Sequence, residues 1–353
     1  MRKNSRSFGV NPAVILFLLS CDIILTRREV VQFQDSGEPA VNLPHFAYFK
    51  GKIVPYSEAK VGVLTHGLNY GTAVFGGMRA YWNAEDEQLY IFRPADHFKR
   101  LLLSARILLM DLGHTPESLT DATRELLRTE GYRCDVYIRP LAYKADEIIG
   151  VKLHDLHDEL SIVAVAFERY VANDTNAHVT FSSWRRVDDN MIPARGKVSG
   201  AYANSALIKS DAVRAGFDEA LVLTQDGHVS EGSAMNVFMV REDTLVTPPI
   251  TENILEGITR RTVIELARQE LEIPVIERPI DRTEVYLCDE FFMTGTAAEI
   301  TAVTRVDHRP IGQGRMGPVT TQLRQIYADV VRGRHSRYRH WNTPVYLAEK
   351  ISI

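Results

Sequence analysis

Apolar and polar residues alternate along 46–59, FAYFKGKIVPYSEA, on either side of a lysine–glycine pair, and the pattern predicts a β-hairpin. AVFGGMRAYW (73–82) and QLYIFR (88–93) read as further strands. The period then changes: in DHFKRLLLSARILL, Phe98, Leu101, Leu102, Ala105 and Leu109 fall on one helical face. PESLTDATRELLRTEG predicts a second helix, opened by Pro116 and stopped by Gly131. DVYIRPLAY and ELSIVAVAF return to the strand period, so residues 44–167 are expected to form a small α+β domain.

ERYVANDTNAH (168–178) is polar and aperiodic and is assigned as an interdomain linker. Residues 179–353 then form the larger predicted domain. It holds a strand at VTFSSWRR and a helix over about 200–215 stopped by Gly216. A run of strands follows through EALVLTQDGHVSEGSAMNVFMVREDTLVTPP, with an Asp-Gly turn at 226–227. GITRRTVIELARQEL is a helix, EFFMTGTAAEI a strand entering a glycine–threonine turn, and VTTQLRQIYADVV a closing helix.

A chain of 353 residues suits about two domains of this kind. Hydrophobic content of 45% and charged content of 24% are ordinary for a globular protein. The net charge of −4 offers no electrostatic attraction to nucleic acid, so Arg332, Arg334, Arg337 and Arg339 read as a solvated cluster. Cys21, Cys134 and Cys288 form no CxxC pair, which argues against a zinc site or disulfide framework; HDLHDE (154–159) reads as a polar loop, and no metal is expected. Residues 1–43 stand apart. Their apolar run, Ala13 to Cys21, is too short to span a bilayer, and its flanks resemble a minimal secretory signal. The segment is treated as a disordered or wrongly started extension, and a cytoplasmic chain without membrane attachment is expected.

IGQGRMGP (311–318) spells G-x-G-x-x-G, the pattern of dinucleotide binding. That pattern acts only between a strand and a helix, with an acid about 20 residues later. Pro318 follows the third glycine directly, Asp329 comes too early, and too little chain remains for a doubly wound sheet. A glycine-rich turn into the last helix is the expected structure.

Eight segments occur in order: HGLNYGTAVFGGMR, RPADHFKRL, YIRPLAY, SSWRRVDDNMIPARGKVSGAYANSALIKSDAVRAGFDEALVL, GHVSEGSAMNVF, TPPITENILEGITRR, EVYLCDEFFMTGTAAEIT and IGQGRMGPVT. Together they resemble the fold-type IV pyridoxal-phosphate enzymes, closest to the branched-chain amino acid aminotransferases, over about residues 44–345. The resemblance implies a two-domain fold, a pyridoxal 5′-phosphate cofactor, amino acid and 2-oxo acid substrates, and a homodimer or larger homo-oligomer. It also implies that the glycine motif is a structural turn.

Residue by residue, the resemblance makes Lys197 in ARGKVSGAY the lysine that forms a Schiff base and moves protons. Glu231 matches the acid at the pyridine nitrogen, and Tyr202 the phenol at the ring hydroxyl. Arg100, the helix N-terminus at Gly257, Ile258 and Thr259, and Thr296 match the phosphate site; orphan amides and the helix dipole favour an anion at such a terminus. Tyr137 and Arg139 alternate with Val136 and Ile138 and so share a strand face. Tyr137, with the Thr296–Ala297 amides, matches the donors to the substrate carboxylate, and Arg139 the residue that takes glutamate's second carboxylate. Tyr70, Phe75 and Arg79 match positions lining or supporting the side-chain pocket. Three features depart from the family pattern. FGGMR replaces the usual FEGIR, Met235 stands where many members have glutamate, and the linker lacks an aromatic cover. A D-amino acid or (R)-amine transaminase, or aminodeoxychorismate lyase, is the alternative on the same fold.

Overall fold

In the computed structural model, residues 43–167 and 173–346 are described; the apolar run at 13–21 and residues 168–172 of the predicted linker lie outside them. The first sheet is built from β1 (Phe46–Phe49), β2 (Lys52–Pro55), β3 (Ala73–Phe75), β4 (Met78–Asn83), β5 (Gln88–Phe92), β6 (Val136–Lys144) and β7 (Asp158–Ala166). The short helix α1 (His66–Tyr70) and the longer α2 (Pro94–Ile107) and α3 (Pro116–Glu130) belong to the same half. The predicted hairpin turns at Lys50 and Gly51, both with positive φ. The stretch 73–82, read as one strand, is two, broken at Gly76–Gly77.

The second half holds β8 (Ala177–Arg185), α4 (Tyr202–Arg214), β9 (Glu219–Leu223), β10 (Val229–Gly232), β11 (Asn236–Arg241), β12 (Thr244–Thr247) and α5 (Ile258–Glu270). It continues through β13 (Val275–Glu277), β14 (Glu290–Gly295), β15 (Glu299–Val306), β16 (Arg309–Pro310) and α6 (Pro318–Val331). The last strand, β17 (Asn342–Pro344), returns to the first sheet and pairs with β5. The sheet orders are β17-β5-β4-β6-β7-β1-β2 with β3 beside β6, and β10-β9-β8-β15-β14-β11-β12-β13 with β16 beside β15. The change of sheet falls in the predicted linker, although β8 already begins at Ala177.

The described residues belong to one compact unit. One core lies under α2 and α3, where Phe98, Leu101 and Ala105 of the predicted stripe meet Leu119, Leu126 and Ile138. A second core is shared by the two sheets: Tyr81 and Phe92 of the first are buried with Phe238, Phe292, Val263 and Leu323 of the second half. Residues from both halves therefore leave water together, which fixes one sheet against the other.

The glycine motif resolves into a capped helix. Gly312 has φ +51, and a Cβ there would lie 2.1 Å from the Asp289 carbonyl oxygen. Gly317 precedes α6, and a Cβ on it would lie 2.1 Å from Cδ of Glu290. The Glu290 carboxylate accepts from the Val319 and Thr320 amides at 2.9 and 2.8 Å and from the Thr320 hydroxyl at 2.6 Å. The anion at this helix N-terminus is thus the protein's own. Glu290→Ala removes it from a buried position and is expected to cost about 2 to 3 kcal/mol, as loss of charged hydrogen bonds does. Urea unfolding of the two proteins measures this; equal midpoints would show that the cap contributes nothing.

Candidate active site

Lys197 lies between β8 and α4, yet its backbone is bonded to the first sheet. The Phe75 amide donates to the Lys197 carbonyl at 3.0 Å, Val74 and Val198 form an antiparallel bridge, and the Gly200 amide donates to the Gly71 carbonyl at 3.2 Å. The approach demands glycine at 71: φ is +66, and a Cβ would lie 2.7 Å from Cα of Gly200. From α2, the Ser104 hydroxyl accepts from the Lys197 amide at 3.3 Å and donates to the Arg100 carbonyl at 2.8 Å. Lys197 is therefore held on one side by β3 and on the other by the helix that carries Arg100.

The Lys197 amine donates to the Tyr202 hydroxyl at 2.5 Å and stands 5.0 Å from the ring centres of both Phe75 and Tyr202. Burial pushes its pKa down from 10.5 to about 7. Arg100, Arg139 and Arg186 push the same way, and Glu231 opposes them. Burial foremost, and then the Glu231 charge, hold the Tyr202 phenol in its protonated form.

Glu231 is 3% exposed on β10, where a register shift between Val229 and Glu231 interrupts the ladder with β9. Its Oε1 meets Arg186 Nη2 at 2.6 Å. Its Oε2 accepts from the Leu255 amide and from Asn236 Nδ2, both at 3.1 Å. Burial raises its pKa, while Arg186, the Leu255 amide, Lys197 and Arg100 pull it back. A desolvated carboxylate needs such partners to remain charged.

The segment 252–257 passes from Glu231 to the start of α5. Glu256's carbonyl accepts from Arg100 Nη1 at 3.0 Å. Gly257 is the N-cap of α5 and supplies no side-chain acceptor, so the amides of Ile258 and Thr259 begin the helix without the carboxylate that α6 has. Thr296 and Ala297 lie in the turn from β14 to β15, two and three residues past Thr294, which pairs with Asn236.

On β6, Arg139 Nη2 donates to the Tyr137 hydroxyl at 3.0 Å, and its guanidinium lies 4.6 Å from the Phe75 ring centre. Phe75 packs edge-on against Tyr202 at 4.6 Å, so Arg139, Phe75, Tyr202 and Lys197 form one contiguous wall. Gly77 makes room for it, since a Cβ there would lie 2.1 Å from the Tyr137 hydroxyl. Gly76, the departure from the family pattern, sits 2.6 Å (as Cβ) from Cγ of Pro140, and its amide donates to Pro140's carbonyl at 2.8 Å. Arg79, buried on β4 and paired with Tyr137, meets Glu299 at 3.0 Å, the Phe167 carbonyl at 3.1 Å and Asp135 at 3.5 Å. Tyr70 is exposed at the end of α1, its ring tilted against that of buried His66 with centres 4.7 Å apart, and its hydroxyl accepts from the Gly150 amide at 3.0 Å.

Arg186, Asn236 and Ser104 are brought into this site without having been singled out in the sequence. All three lie inside the recognised segments or beside them, but no local spacing distinguishes them. The arrangement fits pyridoxal 5′-phosphate by the chemistry of its donors. Arg100 and an uncapped helix N-terminus suit a phosphate, a buried carboxylate suits a ring N–H, and an amine pushed toward neutrality suits an aldehyde.

The depressed pKa makes a signed prediction. Below about pH 7 Lys197 is protonated, and above it the amine is neutral. Near pH 8 its neutral fraction exceeds that of an ordinary lysine by roughly two to three orders of magnitude. In the cofactor-free enzyme, amine-selective labelling followed by peptide mass analysis should give a half-maximal pH near 7 at Lys197. A half-maximum near 10.5 would contradict the electrostatic reading.

Comparison with known proteins agrees with this geometry. The sequence profile of the Amino-transferase class IV family matches residues 73–306. An Aquifex aeolicus protein named probable branched-chain-amino-acid aminotransferase is 50% identical over 301 residues, covering 85% of this chain and 97% of its own. The branched-chain aminotransferase of the thermophilic archaeon Thermoproteus uzoniensis, solved with norvaline, superposes with a TM-score of 0.82 at 42% identity, covering 86% of this chain and 100% of that one. The branched-chain amino acid aminotransferase of Thermobaculum terrenum, solved in its PLP-form, also gives 0.82 at 42% identity, covering 86% and 99%. The chain belongs to the class IV aminotransferases.

Proposed function

We infer that this chain is a pyridoxal 5′-phosphate-dependent transaminase that exchanges the amino group between branched-chain L-amino acids and 2-oxoglutarate. The observation that carries the reading is the Lys197 amine, pushed to about pKa 7, in a site that also holds a buried carboxylate, Arg100 and an uncapped helix N-terminus. When bound, the cofactor supplies an aldehyde for amines and a ring that takes up the electron pair left at the substrate's α-carbon. Every other part belongs to the chain. Arg100 and the amides of Ile258 and Thr259 hold the phosphate, with Thr296 beside them. Glu231 holds a proton at the ring nitrogen, and Tyr202 bonds the ring hydroxyl. Lys197 takes the proton from the α-carbon and returns it on the other side of the exchange, for which a pKa near neutrality suits it.

The substrate side reads in the same terms. The Thr296–Ala297 amides and Tyr137 hold the α-carboxylate, and Phe75 gives the apolar wall for an aliphatic side chain. Arg139 is exposed to the site and carries the charge that a second carboxylate needs. Arg79 and Tyr70 support this wall from behind and from the rim.

A homodimer is part of the reading. Val63 just before α1, Leu68 within it, and Ile149 and Val151 after β6 are large exposed apolar residues, at 80, 63, 87 and 75%. The Thr65–Glu147 bridge and the Tyr70–Gly150 hydrogen bond bring the two segments together into one patch next to the site. A patch of this kind marks an interface.

Two experiments test the function. Lys197→Ala should fold but lose transamination, and borohydride reduction of the wild-type holoenzyme should place the phosphopyridoxyl group on Lys197; a label on another lysine overturns the assignment. Arg139→Met should raise KM for glutamate and 2-oxoglutarate about tenfold or more, the size of one charged hydrogen bond, with a smaller change for leucine. Equal losses for both classes, with a lowered melting temperature, would make Arg139 a structural residue. They would also turn attention to D-amino acids and (R)-amines as substrates.

A further inference from the structure

Asn236 touches both ends of the candidate cofactor site, through atoms that no catalytic role yet uses. It is 6% exposed at the start of β11. Nδ2 donates to Glu231 Oε2 at 3.1 Å and to the Leu255 carbonyl at 2.9 Å. Both partners are pure acceptors, so the amide has only one orientation that satisfies them. On its other side, Oδ1 lies where a Cβ on Gly257 would approach to 2.1 Å. The side chain therefore fills the gap between the acid at the ring end and the first turn of α5 at the phosphate end. Its backbone pairs with Thr294, which leads into the Thr296–Ala297 turn.

The intervening segment is held almost wholly by such bonds. The Ser230 hydroxyl donates to the Glu252 carbonyl at 2.6 Å, Asn253 Nδ2 to Asp188 at 3.2 Å, and Arg100 to the Glu256 carbonyl at 3.0 Å. Among these links, Asn236 alone bonds the Glu231 carboxylate itself and abuts Gly257. The charged or titratable groups that face Glu231 are Arg186, Lys197, Arg100 and Tyr202.

We propose that Asn236 is a positioning residue for the cofactor: it aims Glu231 and sets the distance from that carboxylate to the phosphate-binding start of α5. The proposal rests on the transaminase reading above. With both Nδ2 hydrogens committed, one Glu231 oxygen is fixed by Asn236 and Leu255 and the other by Arg186, and the carboxylate cannot rotate away from the site. The absence of a side chain at 257 follows from the same contact, because a methyl there would displace Oδ1.

The test titrates the cofactor-free full chain with pyridoxal 5′-phosphate and with pyridoxal, by visible absorbance, at about pH 5.5 and about pH 8.5, because two neighbouring carboxyls take up a shared proton more readily as the pH falls. Relative to wild type, Asn236→Ala should weaken pyridoxal 5′-phosphate binding about ten- to hundredfold at both pH values, the effect of a hydrogen bond to a charged group. Pyridoxal, which lacks the phosphate, should lose less. Asn236→Asp should match the alanine variant at the higher pH, where two carboxylates repel, and recover most of the loss at the lower pH, where a shared proton restores a donor to Oε2. A merely structural role would not produce that recovery. Wild-type affinity in Asn236→Ala, or a pH-independent loss in Asn236→Asp, overturns the proposal; equal losses for both ligands overturn its two-ended form. If the melting curve shows that Asn236→Asp does not fold, Gly257→Ala decides, since it presses on Oδ1 without touching Glu231 and should also weaken binding; unchanged affinity overturns the proposal. Failure of the wild type itself to bind the cofactor through Lys197 would instead refute the transaminase reading.

Discussion

The site depends on a few main-chain hydrogen bonds that tie the Lys197 segment to β3. A lysine encoded between β8 and α4 becomes part of the first sheet's edge because the Phe75 amide reaches the Lys197 carbonyl and the Gly200 amide reaches that of Gly71. Gly71 permits a backbone contact that a side chain at that position would not tolerate. Everything on the substrate wall follows from this junction. Phe75 is at the end of β3, Arg139 packs on Phe75, and Tyr202 is the first residue of α4 after the pinned turn. Val74 and Val198, the bridged pair of this junction, are buried together in the core under α2 and α3.

Electrostatics then assigns the roles. Arg100, Arg186 and Lys197 gather round one buried acid, Glu231, with Arg139 near Lys197, an excess of positive charge that is costly without anionic ligands. A phosphate and one or two carboxylates supply what is missing. Until they bind, the cheapest relief is loss of a proton from Lys197, the one cation able to release it near neutral pH. Burial is the larger cause of the lowered Lys197 pKa, and Arg100, which also suits a phosphate, adds to it.

Much of this was legible in the sequence, and the remainder has physical reasons. Long periodic segments such as α2, α3, β6 and β7 were readable because burial imposes their period. The five-residue α1 and three-residue β13 and β17 are too short to carry one, and Gly76–Gly77 broke a run that looked continuous. Lys197, Glu231 and Arg100 were singled out through their motifs, and the fold brings the three near one another. Arg186 and Asn236 were not, because their significance lies in contacts: Arg186 meets Glu231 across 45 positions of chain, and Asn236 meets Leu255 across 19. The glycine motif at 312–317 is the turn into the last helix that the sequence led us to expect, and the anion at that helix start is Glu290.

The central claim is that the contact of β3 with the 197–200 turn creates the reactive lysine. Gly71→Ala strains a residue at φ +66 and forces the two backbones apart, since the new methyl would lie 2.7 Å from Cα of Gly200. The measurement is the pH titration of Lys197 in the cofactor-free Gly71→Ala protein, with far-ultraviolet circular dichroism as the check on folding. The account predicts that the pKa rises from about 7 toward 10.5 as the amine regains water, with the sheets intact. A folded variant whose Lys197 still titrates near 7 would contradict it.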